Sequence, residues 1–126
     1  MAEIYVASKT AHAGMWRTFR DGRGYPICST WIDEAKAGKT ANRSELAERC
    51  VREAALAKVL ILYCEPGEIL KGALIEAGAH LACGGLVLCV GTCASVGGVM
   101  ACHPRWRNCG SVQEAMERAM LEVNCG

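Results

Sequence analysis

A chain of 126 residues is long enough for one domain with a single hydrophobic core. Apolar residues make up 52% of the chain and charged residues 21%, which is a globular composition and excludes a disordered chain. The 14 basic and 13 acidic residues nearly balance, so no electrostatic attraction to nucleic acid or to a membrane surface is predicted.

The beginning of the chain, MAEIYVASKT, has no basic segment that leads into a long apolar stretch, so a signal peptide is not expected. No apolar run approaches the roughly 20 residues that a membrane-spanning helix needs. We therefore expect a cytoplasmic protein whose partners include neither nucleic acid nor a membrane.

Nine cysteines are many for a chain of this size. Their odd number and the expected lack of an export signal argue against a disulfide framework. Cys28, Cys64 and Cys89 lie in predicted strands, where a free cysteine behaves as a small buried hydrophobe. No Cys-x2-Cys pair occurs, so we expect neither a metal site nor another cofactor.

Short β-rich runs alternate with helical patterns along the chain. The five predicted strands are Glu3–Ala7, Tyr25–Ser29, Val59–Tyr63, Leu86–Val90 and the weaker Val99–Cys102. The predicted helices are His12–Arg20, Glu45–Ala57 with Ser44 or Asn42 as N-cap, a helix from about Glu68 to the glycine stop at Gly84, and Ser111–Leu121 with a capping box to Glu114. Polar connections are predicted for Ala35–Arg43 and His103–Asn108.

This alternation is typical of a parallel sheet with helices on both faces and right-handed crossovers. The apolar runs VLILY and LVLCV predict central strands that are covered on both faces. Pro26 disfavours a central position for the second strand and suits a strand start or a sheet edge. We predict a single domain with a flavodoxin-like three-layer α/β/α fold and five mainly parallel strands in the order 2-1-3-4-5.

The chain contains no G-x-G-x-x-G after the first strand, no G-x-x-x-x-G-K-[ST] and no G-x-S-x-G. In open parallel sheets, ligands bind beyond the carboxyl ends of the strands. The polar and aromatic residues expected near these ends are Tyr5, Ser8, Lys9, Trp31, Asp33, Glu34, Glu65 and Glu68.

Several of these candidates have a structural as well as a functional interpretation. Glu76, beside Ala77 and Gly78 on the predicted helix, is either a solvent-facing residue or a carboxylate that a ligand can approach. In the second case it could attack the anomeric carbon of a sugar, with a second acid assisting the leaving group. Trp31 either packs at a strand end or stacks on a base, and Asp33 is a catalytic acid, a solvated loop residue or a helix start.

Several stretches together resemble the nucleoside 2-deoxyribosyltransferase superfamily, and more narrowly its small members from phages and prophages. These stretches are IYVASKT, STWIDE, AKVLILY and LKGALIEAGAHLACGGLVLCV. The most specific motif is E-x-G-x-A-x-x-x-G, here Glu76, Gly78, His80 in place of the alanine, and Gly84 or Gly85. The resemblance implies the flavodoxin-like fold and a homo-oligomer whose neighbouring subunits help to close the site.

The resemblance also implies Glu76 as the nucleophile that attacks C1′ of deoxyribose, with Tyr5 beside it. The chain departs from the family at Ala57-Lys58, where the family has Ala-Asp and the aspartate helps to protonate the departing base. A lysine cannot act as a carboxylic acid, although its ammonium group could contact a phosphate. Glu65, Glu68 and Asp33 are the alternative acids.

Two functions follow as hypotheses. The first is an enzyme that cleaves or transfers the N-glycosidic bond of a (deoxy)nucleoside or nucleotide, with the catalytic residues Glu76, Tyr5, Asp33 and Glu68. Its expected substrate contacts are Ser8, Lys9, Trp31, Lys58 and Gly72. The second, favoured by Lys58 in place of the aspartate, is a non-catalytic protein that binds a nucleotide or an ADP-ribose derivative on the same fold.

Overall fold

The computed structural model describes residues 3–34, 42–92 and 94–125. The strands are β1 (Ile4–Ala7), β2 (Val59–Tyr63), β3 (Leu86–Val90) and β4 (Trp106–Cys109). The helices are α1 (Ala13–Arg17), α2 (Trp31–Glu34), α3 (Arg43–Leu56), α4 (Gly72–Ala82) and α5 (Val112–Asn124). Short 3-10 turns span Thr10–His12, Ala94–Val96 and Val99–Cys102, and a π-helical turn extends α1 over Thr18–Gly22. Most of the predicted connection Ala35–Arg43, residues 35–41, lies outside the described residues.

The four strands form one parallel sheet in the order β1-β2-β3-β4. The α/β class and the parallel sheet are therefore confirmed. The runs VLILY and LVLCV form β2 and β3 with the predicted bounds, and both are almost completely buried. Continuous apolar sequence thus marks the centre of the sheet, because both faces of these strands are covered.

The predicted count of five strands is wrong, and the first reason lies in Tyr25–Ser29. This segment runs beside β1 but makes only a single parallel bridge, between Ile27 and Ile4. Pro26 has no backbone N–H to donate to a ladder. Further along, the N–H of Val6 donates to the side-chain Oγ of Ser29 at 2.7 Å instead of to a backbone carbonyl. This hydrogen bond to a side chain takes the place of a backbone hydrogen bond between strands, so the segment does not form a strand.

The end of the chain also differs from the prediction. Val99–Cys102, the weak fifth strand of the prediction, is a 3-10 turn, and Val99 is 82% exposed. The fourth strand of the sheet is instead β4, which begins inside the predicted loop His103–Asn108. Trp106 pairs with Val87 of β3 and is buried, whereas Arg107 and Asn108 are exposed and Cys109 is partly buried. An exposed edge strand lacks the apolar pattern that reveals a strand in a sequence.

Helix ends follow their capping residues closely. Asn42, not Ser44, caps α3 by accepting a hydrogen bond from the N–H of Glu45 at 2.9 Å. Ser111 caps α5 as predicted and accepts from the N–H of Glu114 at 3.1 Å. The predicted helix around Glu76 starts at Gly72 rather than near Glu68, and Gly84, with a φ of 83°, follows its end.

The helices cover the sheet and complete the core. α4 packs against β1, β2 and β3 and against α3, while α5 packs on β2, β3 and β4. Among the described cysteines, Cys50 and Cys89 are buried free thiols and Cys28 is a partly buried one. Cys64 is disulfide-bonded, so the expectation of a free thiol is wrong for that residue. No helix in the described part of the chain is long and apolar enough to cross a membrane.

Candidate functional site

A cavity of about 610 Å³ opens beyond the carboxyl end of β1, between the N-terminal halves of α3 and α4. This is the position in which parallel α/β sheets bind ligands. Its walls come from the turn after β1, the start of α2 and the facing sides of the two long helices. The lining residues are Ser8, Lys9, Thr10, Trp31, Arg43, Leu46, Ala47, Cys50, Leu70, Lys71, Gly72, Ala73 and Glu76.

Helical spacing explains why these residues share one cavity. On α3, the residues from Arg43 through Leu46 and Ala47 to Cys50 follow the i, i+3, i+4, i+7 pattern, which places them on one face of the helix. On α4, Gly72 and Glu76 are one turn apart in the same way. The small residues among them keep the space between the helices open.

Glu76 supplies a carboxylate inside this cavity. Burial raises the pKa of Glu76 to about 7. The Tyr5 hydroxyl lowers this pKa, and the negative charge of Glu53 raises it further. Desolvation disfavours the ionised form of a carboxyl group, which is the reason for the upward shift. Glu76 is the sole carboxylate among the described residues that line the cavity. The sequence pattern left open whether it faces solvent or a ligand site, and the structure places it at the site.

Tyr5 lies under this carboxylate, completely buried in β1. Its hydroxyl faces the carboxylate of Glu76 and the thiol of Cys50, and burial followed by the charge of Glu76 raises the pKa of Tyr5 strongly. Among the described residues the hydroxyl makes no hydrogen bond of ideal geometry, but it lies close enough to Glu76 to donate a hydrogen bond that lowers the pKa of the carboxyl group. Burial raises the pKa of the Cys50 thiol to about 11. The phenol and the thiol therefore remain protonated at neutral pH, and Glu76 is the group of the three that titrates.

Gly72 lies directly in front of the carboxylate. A Cβ atom at Gly72 would be 3.9 Å from Oε2 of Glu76, which is an ordinary van der Waals distance. The absence of a side chain at this position leaves the approach to that oxygen open. The predicted contact residue Gly72 and the predicted nucleophile are thus brought together.

Trp31 and Ser8 line the cavity but are held by other parts of the protein. The indole N–H of Trp31 donates to the carbonyl of Val6 at 2.8 Å, and the residue is 6% exposed. Oγ of Ser8 accepts from the indole N–H of Trp16 at 2.9 Å. Both residues are therefore fixed parts of the cavity wall. Trp31 is packed near the end of β1, as one of its two interpretations predicted, and stacking on a base stays a prediction.

Asp33 is not among the cavity residues. Arg20 donates to both of its carboxylate oxygens, each at 2.8 Å, and these hydrogen bonds hold the pKa of Asp33 below its usual range. A carboxylate paired in this way remains ionised and is a poor proton donor. The structure thus does not bring Asp33 to Glu76.

Glu68 also lies outside the lining of the cavity and forms a cluster with His12 and Glu65. Its Oε2 is 2.7 Å from Nε2 of His12, and its Oε1 accepts from the backbone N–H of Glu65 at 2.8 Å. Burial would raise the pKa of Glu68, but these hydrogen bonds outweigh it and the pKa is lowered. Each of the three side chains offers one potential metal-ligand atom, and these three atoms lie within 4.8 Å of one another. The cluster could therefore hold a metal ion. The sequence did not indicate His12 as a partner, because it precedes Glu68 by 56 residues.

Lys58 lies at the end of the strands that is opposite to the cavity. It immediately precedes β2, its backbone N–H donates to the carbonyl of Glu3, and its Nζ is 4.0 Å from a carboxylate oxygen of Glu3. Because the strands are parallel, the start of β2 lies at the amino end of the strands, whereas the cavity lies at their carboxyl end. Lys58 is therefore not among the residues that line the cavity.

Two cationic residues of the cavity, Arg43 and Lys71, were missed by the sequence interpretation. Arg43 falls at the end of a predicted connection, and Lys71 in a segment predicted to be helical. Lys9, which the sequence predicted, lies in the same lining. No motif marks these residues, since they come from three separate segments that only the fold brings to one cavity.

Comparison of the chain with protein-family models, with curated proteins and with solved structures finds no match.

Proposed function

We propose that the protein cleaves or transfers the N-glycosidic bond of a (deoxy)nucleoside or nucleotide, with Glu76 as the nucleophile. One observation carries the proposal: the carboxylate of Glu76 lines a 610 Å³ cavity with a buried phenol behind it and a glycine in front. The motif resemblance of the same glutamate to the nucleoside 2-deoxyribosyltransferase superfamily supports the proposal independently of the geometry.

The chemistry proceeds in two displacements. An oxygen of the Glu76 carboxylate forms a bond to C1′ while the C1′–N bond breaks, and the electron pair of that bond leaves on the base nitrogen, which takes a proton from solvent. Water or a second base then attacks C1′ and releases the carboxylate. Water gives hydrolysis and a second base gives transfer.

Tyr5 acts on the nucleophile rather than on the leaving base. Its hydroxyl stays protonated and stabilises the ionised form of Glu76, the form that attacks. Because the pKa of Glu76 is about 7, we expect the rate to rise with pH below 7 and to level off above about 8. Asp33 and Glu68 have the partners described above and have no part in this mechanism.

A flavodoxin-like arrangement belongs to the same proposal. It is supported by the parallel four-stranded sheet and by the helices that pack against it. A homo-oligomer is supported by apolar residues of α3 and α4 that are exposed in the monomer, among them Leu56 at 68% and Ile75 at 65% exposure. Light scattering after size-exclusion chromatography measures the mass in solution, and a monomeric mass contradicts the oligomer.

The experiment that tests the function follows free base by chromatography after incubation with the four deoxynucleosides and their monophosphates. We expect release by the wild-type protein and a loss of at least about 1,000-fold in Glu76→Gln, because the nucleophile is removed. Glu48→Gln is the matched control, since Glu48 lies on the exposed side of α3 with 80% of its side chain accessible. Lack of release from every compound, or equal rates for wild type and Glu76→Gln, would refute the proposal.

A second candidate is a protein that binds a nucleotide or an ADP-ribose derivative without turnover. It is favoured by the lack of a second carboxylate among the described lining residues, since retaining glycosidases use a pair of acids. Calorimetric titration in parallel with the chromatography separates the two candidates. Binding of a nucleotide or of ADP-ribose without any base release supports the second, and base release that depends on Glu76 supports the first.

A further inference from the structure

The cavity carries an excess of positive charge. Lys9, Arg43 and Lys71 line it, against the single described carboxylate of Glu76. Elsewhere in the fold, Arg20 is paired with Asp21 and Asp33. The three cavity cations form no ion pair within 4 Å in the described ranges. Like charges around one concave surface repel each other, so a bound anion would relieve an unfavourable arrangement.

The backbone adds to this positive field. α3 begins at Arg43 and α4 at Gly72, and the N-terminal residues of both helices line the cavity. The N-terminal end of an α-helix carries a partial positive charge and free N–H groups. The N-cap of α4 is Lys71, which makes no side-chain capping bond, so the first N–H groups of this helix are not used by a cap. The uncapped N-terminus of α4 and three cations therefore converge on one volume, whereas the N-terminus of α3 is capped by Asn42.

We propose that the cavity binds a phosphorylated nucleoside, with its phosphoryl group held between Lys9, Arg43 and Lys71. This inference rests on the proposed function for the sugar and the base, and names the substrate as a nucleotide rather than a free nucleoside. The three cations are exposed to solvent at the cavity and form no close ion pair with a described carboxylate, so a phosphoryl group can reach them, whereas an uncharged sugar and base would not use their charge. A phosphate group provides charge-assisted hydrogen bonds to each of them.

The placement of Lys71 and Glu76 fits such a substrate. Lys71 is the N-cap of α4, Glu76 lies one turn after Gly72, and both residues line the same cavity. The phosphoryl group and the anomeric carbon of a nucleotide are separated by the sugar ring, so the two ends of the sugar phosphate can meet Lys71 and Glu76 together. Gly72, between them, leaves this path without a side chain.

The test compares each deoxynucleoside with its 5′-monophosphate and its 3′-monophosphate, by calorimetric binding and by base release. We expect one monophosphate to bind at least about tenfold more tightly than the nucleoside. Lys71→Ala and Arg43→Ala should each weaken binding of that monophosphate by about tenfold and leave binding of the nucleoside unchanged. Arg52→Ala is the matched control, because Arg52 lies on α3 outside the cavity and pairs with Glu48 on the surface. Thermal unfolding of each variant confirms that it is folded.

The possible failures are distinguishable. Equal binding of nucleoside and monophosphates, unchanged in Lys71→Ala and Arg43→Ala, overturns the phosphate site whether or not base is released. Preferential binding of a monophosphate that depends on both cations, without release of base, supports the phosphate site and refutes the glycosidic reaction. No binding of any of the compounds overturns both.

Discussion

The ionisation of Glu76 inside the cavity gives a prediction that does not depend on the substrate. The pKa of Glu76 rises from 4.5 to about 7 on folding because of burial. Between these two values the unfolded chain has lost a proton that the folded chain still holds. Stability therefore falls as pH rises through this window, since the slope of the unfolding free energy follows the difference in bound protons. The contribution is fully present below pH 4.5 and is lost above pH 7.

The size of the effect follows from the shift. One pKa unit corresponds to about 1.4 kcal/mol, so a rise from 4.5 to about 7 corresponds to a loss of about 3.5 kcal/mol over the whole window. Of this, about 2.5 kcal/mol falls between pH 5 and pH 8. Glu76→Gln keeps the shape of the side chain and removes the titration. When the pH is raised from 5 to 8, we expect the free energy of unfolding of the variant to increase by about 2.5 kcal/mol relative to that of wild type.

Urea unfolding of both proteins at pH 5, 6, 7 and 8 measures this difference, with Glu48→Gln as the control for an exposed glutamate on α3. The control should follow wild type at every pH. A difference between Glu76→Gln and wild type that is the same at pH 5 and pH 8 would refute the reasoning, because it would mean that Glu76 titrates in the folded protein as it does in water. A difference that grows in the opposite direction would mean that partners stabilise the carboxylate more than burial destabilises it.

Two further predictions concern the surroundings of Glu76 and its helix. Tyr5→Phe removes the hydroxyl that lowers the pKa of Glu76, so this pKa should rise by about one unit, as measured by NMR titration of the carboxyl carbon; an unchanged value would contradict the role of Tyr5. Gly85→Ala should destabilise the fold by about 3 kcal/mol in urea unfolding, because the new Cβ would lie 2.1 Å from Nε2 of the buried His80. Gly78→Ala is its control, with open space around the Cβ position, and should be neutral or stabilising by up to about 1 kcal/mol.

Parts of the fold were predictable because their signal is local. The bounds of β2 and β3 could be read directly, since unbroken apolar runs have few alternatives in a small α/β chain. The N-cap at Ser111 was equally visible, because a cap and its partner are three residues apart. β4 was not visible, because at an exposed sheet edge only Trp106 needs to be apolar.

The position of Glu76 in the cavity was predictable, and the surroundings of Glu76 were less so. The resemblance of one motif directed attention to Glu76, and Ser8, Lys9, Trp31 and Gly72 do line the same cavity. The other predicted residues have tertiary partners that no local pattern shows, such as Arg20 for Asp33 and His12 for Glu68. Lys58 was misplaced because the family resemblance alone suggested it: it precedes the strand Val59–Tyr63 and so lies at the amino end of the sheet, whereas ligands bind beyond the carboxyl end.

The amino-acid sequence by itself determined the α/β class, the two central strands and the helix that carries Glu76, since periodicity, caps and glycine stops act over a few residues. The tertiary structure alone decided the chemistry of the site. The raised pKa of Glu76 requires its burial between the helices and the sheet, and the positive field requires that Lys9, Arg43 and Lys71 meet from separate segments. Burial and electrostatic fields depend on distances in space, which a linear pattern does not contain.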